Sequence, residues 1–195
     1  MEFQSGFSKL INSLPASLKV LDVGSGGLEG ENTTNYLIRR FGPENITGIC
    51  SNQHEVERFH AIRAELKLPP VKIIQDDFYK HEFTGQYDLA VLDLNIESNL
   101  GRDWTDEGLD HMRSLVKDGG YLINYIMLTD QYGDPDETPL FIYRKWVEHW
   151  GTENLTLKDI GRKLSNLKGW ELMAQEQEER RPYILWVMLK KTNGS

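Results

Sequence analysis

The sequence predicts an α/β fold: an αβα sandwich in which helices cover both faces of a mostly parallel, seven-stranded sheet. Two observations predict it. Short apolar runs alternate with amphipathic helical segments as far as residue 128, which is typical of parallel strands joined by crossover helices. The last two apolar runs, in contrast, are joined by a short charged stretch, so they should close the sheet as an antiparallel β-hairpin.

The individual elements follow from apolar spacing and from the breakers between them. Apolar runs predict strands at residues 19–23, 46–50, 71–75, 87–92, 121–128, 170–175 and 183–189. Apolar residues at helical spacing predict helices at residues 2–14, 33–41, 54–66, 105–117, 138–150 and 156–167. The first three of these helices are ended by Pro15, Gly42-Pro43 and Pro69-Pro70. Residues 118–120, Asp-Gly-Gly, are predicted to form a turn before the fifth strand.

Composition limits the possible partners and compartments. A net charge of -8 argues against nucleic-acid binding through phosphates, which needs clustered Lys and Arg. Cys50 is the single cysteine, so no internal disulfide can form and a cytoplasmic location is expected. The first residues lack a secretory-signal pattern, and no apolar stretch approaches the roughly 20 residues of a membrane span. The histidines show no metal-binding spacing, so no metal is expected.

The most specific local signal is the glycine-rich turn at residues 20–27, VLDVGSGG. Glycines let the backbone turn tightly and approach a ligand, and the following helix directs its positive end at that ligand. A tight turn without a ligand is the alternative explanation. Asp22 favours a ligand with a cationic amino acid group, because nicotinamide-binding turns usually have an apolar residue at this position.

The ordered motifs resemble those of class I S-adenosylmethionine-dependent methyltransferases, which have a Rossmann-like fold. Residues 22–26, DVGSG, are similar to the family's glycine motif, and residues 76–78, DDF, are similar to its acid-plus-apolar adenine clamp. Residues 87–93 resemble its fourth strand, and residues 115–123 resemble its segment of helix, Gly-Gly and fifth strand. The closing hairpin is a further family trait. The resemblance covers roughly residues 17–128 and 169–190.

The resemblance implies S-adenosylmethionine as cofactor and gives its binding residues. Gly24 and Gly26 would approach the methionine part, and Asp22 would orient its amino group. Asp77 would accept a hydrogen bond from the adenine amino group, and the Phe78 amide would donate one to the ring. The cofactor-binding candidates are Asp22, Gly24, Ser25, Gly26, Cys50, Ser51, Asn52, Gln53, Asp76, Asp77, Phe78 and Asp93.

The end of the second predicted strand departs from the family pattern. The family usually has an Asp or Glu there that binds both ribose hydroxyls, whereas this chain has Cys50. A thiol is a weak acceptor. Either the neutral amides of Asn52 or Gln53 hold the ribose, with hydrogen bonds about half as strong as charge-assisted ones, or the cofactor differs. The third family glycine is replaced by Leu28.

The sequence has no internal repeat, low-complexity tract or Pro/Ser-rich linker, which indicates one domain, and the resemblance implies the roles of its parts. A single domain over residues 1–195 would comprise an N-terminal helix or lid (1–16), a cofactor-binding core (17–128), a variable substrate or lid insert (129–169) and the hairpin (170–190). The implied reaction is in-line methyl transfer to oxygen or nitrogen of an acceptor. Asp93, Asp130 and Tyr132 are the catalytic candidates.

A small-molecule acceptor is expected, because no recognition domain is appended and residues 93–96, DLNI, lack the Pro-Pro-aromatic motif of enzymes that methylate nucleic-acid amino groups. A peptide or protein acceptor is the next expectation. The alternatives are a nicotinamide-dependent oxidoreductase and a non-catalytic module that binds the cofactor.

Overall fold

The fold is a seven-stranded sheet with helices packed against it. The structure is a computed structural model, and it describes residues 5–25, 32–92, 106–127, 164–179 and 184–192. The strands are β1 (Val20–Val23), β2 (Ile46–Cys50), β3 (Lys72–Gln75), β4 (Tyr87–Leu92), β5 (Val116–Met127), β6 (Trp170–Gln177) and β7 (Ile184–Lys191). The helices are α1 (Ser5–Asn12), α2 (Thr33–Phe41), α3 (Gln53–Glu65) and α4 (Asp106–Leu115).

The strand order confirms the predicted architecture. The order across the sheet is β3-β2-β1-β4-β5-β7-β6. Neighbours from β3 to β5 are parallel, whereas β7 is antiparallel to both β5 and β6. The sheet therefore ends in the predicted antiparallel hairpin, with its second strand inserted beside β5. Because the chain builds β2 and β3 on one side of β1 and then β4 on the other, the strand order reverses between β1 and β4.

The central strands are apolar because both faces of the sheet are covered. Val20, Leu21, Leu89 and Ala90 are completely buried, as expected for parallel strands between two helical layers. Right-handed crossovers place α2 and α3 on one face and α4 on the other, since the chain moves across the sheet in opposite directions in the two halves.

Helix α1 packs on the face that carries α2. The Phe7 ring lies 4.9 Å from the ring of Trp186 on β7 and 5.8 Å from that of Tyr36 on α2. The buried Glu178, just after β6, accepts hydrogen bonds at the helix start from the Phe7 N–H (3.2 Å) and from the Ser5 hydroxyl (3.3 Å). These contacts join α1 to the hairpin, and its role as a lid stays a prediction.

The prediction of a turn at residues 118–120 is wrong. These residues lie within β5, which begins directly after α4. Tyr87 of β4 pairs with Val116 and Leu89 pairs with Tyr121, so the six residues 116–121 of β5 stand opposite three residues of β4 and the extra residues form a bulge. Gly119 has φ +74°, a conformation that favours glycine. The predicted helix at 138–150 and most of the one at 156–167 lie outside the described residues.

The start of β4 is held by a partly buried carboxylate. Asp88 accepts a hydrogen bond from the Lys19 N–H (2.9 Å) and forms an ion pair with the Lys117 ammonium (2.6 Å). Burial raises the pKa of Asp88, but the bonds from Lys117 and Lys19 outweigh it, so that this pKa lies below its ordinary value. In the part of the chain that the structure describes, no helix combines the length and apolar character of a membrane span.

Candidate functional site

The candidate site lies at the carboxyl ends of β1, β2 and β3, beside the point where the strand order reverses. Ligands of open α/β sheets bind at this edge. Two backbone hydrogen bonds tie the three strand ends together: the Gly24 N–H donates to the Ile49 carbonyl (2.9 Å), and the Asp76 N–H donates to the Cys50 carbonyl (3.2 Å). The structure therefore brings the predicted residues that follow these strands to one edge of the sheet.

Asp22 lies in the middle of the sheet near this edge. It pairs in register with Gly48 of β2 and Val91 of β4, and it is only 1% exposed. A carboxylate at such a depth is retained at a considerable desolvation cost and interacts strongly with nearby positive charge, because little solvent screens it. Asp22 is thus suited to orient a cationic group at the sheet edge.

The turn after β1 is fixed by glycine and by a buried serine. Gly24 has φ +90°, which residues with a side chain rarely adopt. The Ser25 side chain is fully buried and its hydroxyl donates to the Asp22 carbonyl (3.2 Å). Gly48 provides the space for this serine, because a Cβ at position 48 would collide with Ser25 Oγ and lie 2.8 Å from Ser25 Cβ. Gly26 lies outside the described residues.

The end of β2 presents no carboxylate of its own. Cys50 is buried, and burial raises the pKa of its thiol; the neighbouring carboxylates of Glu55 and Asp22 raise it further. The thiol therefore stays neutral near pH 7 and can neither act as an anionic acceptor nor as an activated nucleophile. Its sulfur lies 4.0 Å from the Asn52 carbonyl oxygen.

The amides that follow β2 are engaged at the start of α3. Asn52 is the N-cap: its side-chain oxygen accepts from the Glu55 N–H (3.3 Å), and its amide nitrogen donates to Glu55 Oε1 (3.4 Å). The Gln53 amide donates to the Glu57 carboxylate (2.7 Å). Ser51, directly before Asn52, is exposed. Sequence reasoning named both amides but missed Glu55, although the Asn-x-x-Glu spacing of a capping box was visible.

Of the two acids after β3, Asp76 is exposed and Asp77 is partly buried, and they have different hydrogen-bond partners. Asp76 binds His81 Nδ1 through Oδ2 (2.9 Å), and this hydrogen bond is the main reason that the pKa of Asp76 lies below its ordinary value. Asp77 accepts from the Tyr79 N–H (3.0 Å), and its other oxygen lies 3.1 Å from the Lys80 ammonium. A bound adenine would therefore have to compete with these partners for Asp77.

Phe78 forms a buried aromatic wall beside these acids. Its ring contacts Tyr79 (5.0 Å), Phe83 (5.9 Å) and His111 of α4 (4.8 Å) between centroids. The His111 ring packs against Phe78 and Tyr79, which joins the segment after β3 to α4.

The predicted catalytic residues Asp93, Asp130 and Tyr132 lie outside the described residues, and Asp93 was also a cofactor-binding candidate. Their roles stay predictions. Among the described residues, no group of three or more His, Cys, Asp or Glu side chains is arranged to hold a metal ion.

Comparisons with known proteins give the fold. No protein-family model matches the sequence, and no curated protein sequence is significantly similar to it. Many solved structures are similar. One is the 1,6-didemethyltoxoflavin-N1-methyltransferase of Burkholderia thailandensis, solved with 1,6-didemethyltoxoflavin and S-adenosylhomocysteine bound: TM-score 0.64, 12% identity, covering 95% of this chain and 76% of that one.

Two other similar structures are named for different activities. The [4+2]-cyclase SpnF has a TM-score of 0.64 and 15% identity, covering 96% of this chain and 80% of that one. An rRNA methylase from Streptococcus thermophilus has a TM-score of 0.59 and 11% identity, covering 99% of each chain. The chain has the Rossmann-like fold of the class I S-adenosylmethionine-dependent methyltransferases. At this level of identity the likeness concerns the fold, and the reaction has to be argued from the site.

Proposed function

We propose that the chain is an S-adenosylmethionine-dependent methyltransferase that methylates an oxygen or nitrogen of a small molecule. The observation that carries the proposal is the buried carboxylate of Asp22 beside the Gly24 turn, at the edge where the strand order reverses. S-adenosylmethionine has an ammonium group and a sulfonium centre, so a carboxylate there favours it electrostatically.

The donor set of the site fits this cofactor. Asp22 would hold the amino group, the Gly24–Ser25 turn would approach the methionine part, and the segment from Asp76 to Phe78 would bind the adenine. The cofactor supplies a methyl group that its sulfonium already activates. The protein then has to orient the acceptor in line with the methyl group and exclude water. Asp93, Asp130 and Tyr132 remain the proposed residues for removing a proton from the acceptor.

Two observations disfavour a nicotinamide cofactor. Dinucleotide-binding sheets commonly have the order 3-2-1-4-5-6, whereas here the antiparallel β7 lies between β5 and β6. A pyrophosphate would also approach Asp22 with charge of the same sign.

A small acceptor is favoured over a nucleic acid by charge. The chain carries 22 Lys and Arg against 30 Asp and Glu residues. Phosphate contacts require local positive charge, which an acidic chain supplies less readily. The toxoflavin enzyme illustrates that the fold accommodates a small heterocyclic acceptor, and the rRNA methylase that it also serves nucleic-acid substrates. The [4+2]-cyclase leaves open a reaction other than methyl transfer on the same fold.

Calorimetry with S-adenosylmethionine, S-adenosylhomocysteine, 5′-methylthioadenosine and NAD tests the cofactor. We expect the wild type to bind the first two and not NAD. Asp22→Asn should weaken the binding of S-adenosylhomocysteine about 10- to 100-fold, because it removes a charge-assisted hydrogen bond that contributes about 1.5–3 kcal/mol. It should leave 5′-methylthioadenosine almost unaffected, because that compound lacks the amino acid group.

Asp118→Asn is the matched control, since Asp118 is an exposed acid in the β5 bulge that pairs with Lys191. A folded wild type without affinity for either S-adenosyl compound would overturn the proposal. Transfer of a labelled methyl group should then be measured with panels of small molecules, peptides and bulk rRNA. Cofactor binding without transfer to any panel would favour the non-catalytic module.

A further inference from the structure

The site lacks the usual acceptor for the cofactor's ribose. Two vicinal hydroxyls are bound best by a carboxylate, whose two oxygens can each accept a charge-assisted hydrogen bond. The β2 end provides the buried, neutral Cys50 instead. The side chain of Asn52 caps α3 and already uses both its oxygen and its nitrogen on Glu55. A ribose held by the Asn52 amide would therefore have to use the one lone pair and the one N–H that these contacts leave.

Glu55 is a carboxylate that the fold directs toward this gap. It is the third residue of α3, and long side chains in a helix lean back toward its N-terminus. The Asn52 amide holds its Oε1, whereas Oε2 makes no hydrogen bond with any residue that the structure describes. The positive end of α3 stabilises a negative charge in this first turn.

Two electrostatic relations locate the Glu55 carboxylate near the strand ends. Both Glu55 and Asp22 raise the pKa of the Cys50 thiol, so each of these carboxylates lies within electrostatic range of the thiol at the end of β2. Asp22 lies in the sheet below the turn, and Glu55 is partly exposed at the rim. A ligand whose cationic end is near Asp22 would extend across this rim.

We propose that Glu55 supplies the carboxylate that binds the ribose hydroxyls of the cofactor, in place of the acid that is missing at Cys50. This inference rests on the proposed function. It predicts that one oxygen of Glu55 remains on the Asn52 amide while the carboxylate accepts the hydroxyl hydrogens, so that the cap of α3 also orients the ribose-binding group.

The test is calorimetric binding of S-adenosylhomocysteine and of its 2′-deoxy analogue to the wild type, Glu55→Gln and Glu57→Gln. Glu57 is the matched control, because it lies on the same helix and is held by Gln53 in a similar way. Glu55→Gln should weaken S-adenosylhomocysteine about tenfold or more, and Glu57→Gln less than about twofold. Loss of the 2′-hydroxyl should weaken binding to the wild type but have little further effect in Glu55→Gln.

The outcomes separate this inference from the proposed function. If the wild type binds S-adenosylhomocysteine and Glu55→Gln binds it equally well, the ribose assignment is overturned while the cofactor assignment stands. If the wild type binds neither S-adenosyl compound, the proposed function itself fails. Circular dichroism and Tm establish that Glu55→Gln is folded, which is expected because the cap uses the backbone N–H of residue 55.

Discussion

Gly48 of β2 leaves the space that the Ser25 side chain occupies, so a single methyl group at position 48 tests how the turn after β1 is held. A Cβ there would collide with Ser25 Oγ and lie 2.8 Å from Ser25 Cβ and 2.5 Å from Ile73 Cδ1. The Ile73 methyl can rotate away, but Ser25 is fully buried and bonded to the Asp22 carbonyl. The steric clash of an added Cβ with Ser25 is therefore the one that cannot be relieved easily.

Overpacking of this kind costs about 1–3 kcal/mol. For a chain of this size, each kcal/mol lowers Tm by about 2–4 °C, so Gly48→Ala should lower Tm by several degrees. Urea unfolding at equilibrium measures the free energy directly. Because the displaced Ser25 belongs to the turn that is proposed to contact the cofactor, Gly48→Ala should also weaken the binding of S-adenosylhomocysteine, although position 48 carries no functional group.

A double-mutant cycle isolates the cause. Ser25→Gly removes both colliding serine atoms, so Gly48→Ala should cost little in that background, with a coupling energy of about 1–2 kcal/mol. Ser25→Ala is the graded control, because it removes Oγ but keeps the Cβ that lies 2.8 Å away. The reasoning is refuted if Gly48→Ala costs the same in the Ser25→Gly background as in the wild type, or if it costs nothing.

Two further predictions concern stability. Glu178→Ala should lower the free energy of unfolding by about 1–2 kcal/mol in urea, because it removes a buried acceptor from the Phe7 N–H at the start of α1. The exposed Glu179 is its control, and an equal loss in Glu179→Ala would contradict the reasoning. Asp88→Asn should destabilise the fold at pH 7, since the pKa of Asp88 is lowered chiefly by Lys117 against the effect of burial. A carboxylate whose pKa is lowered by folding stabilises the folded state at pH values above its pKa in the unfolded chain, about 4, and this contribution is lost as the pH falls. The difference in stability between Asp88→Asn and the wild type should therefore shrink in acid. A difference that does not depend on pH would contradict this reasoning.

The sequence was sufficient for the elements whose signals are local. The bounds of α2, β2 and β4 agree with the predicted residues, because the segments there end at Gly42-Pro43, at the polar Ser51 and at the charged Asp93. The Gly119-Gly120 pair was misassigned, since two glycines permit a turn and a bulge equally well. The choice depends on pairing with β4, a contact between segments about 30 residues apart that the local pattern does not encode.

The candidate site likewise has features that the sequence predicts and features that depend on contacts it does not encode. The order of the strand ends follows from topology, so the edge formed by Asp22, Gly24, Cys50 and Asp76 could be anticipated. The hydrogen bonds and ion pairs of the individual side chains could not be predicted from the sequence. The Asp76–His81 bond spans an irregular segment, and the use of Asn52 as a cap depends on where α3 begins. These contacts decide which groups remain available to a ligand.

Burial then ranks the carboxylates of the site. Asp77 has a 41% exposed side chain and is already engaged by Lys80 and the Tyr79 N–H, so solvent and these partners offset much of what an adenine contact would contribute. Asp22 is 1% exposed, and its charge acts on a ligand with little screening. A cofactor contact with Asp22 should therefore dominate affinity, whereas Asp77 would mainly select the base. The same argument explains why a neutral Cys50 is tolerable: an anion at its buried position would lie close to Asp22, while the rim position of Glu55 keeps the second charge hydrated.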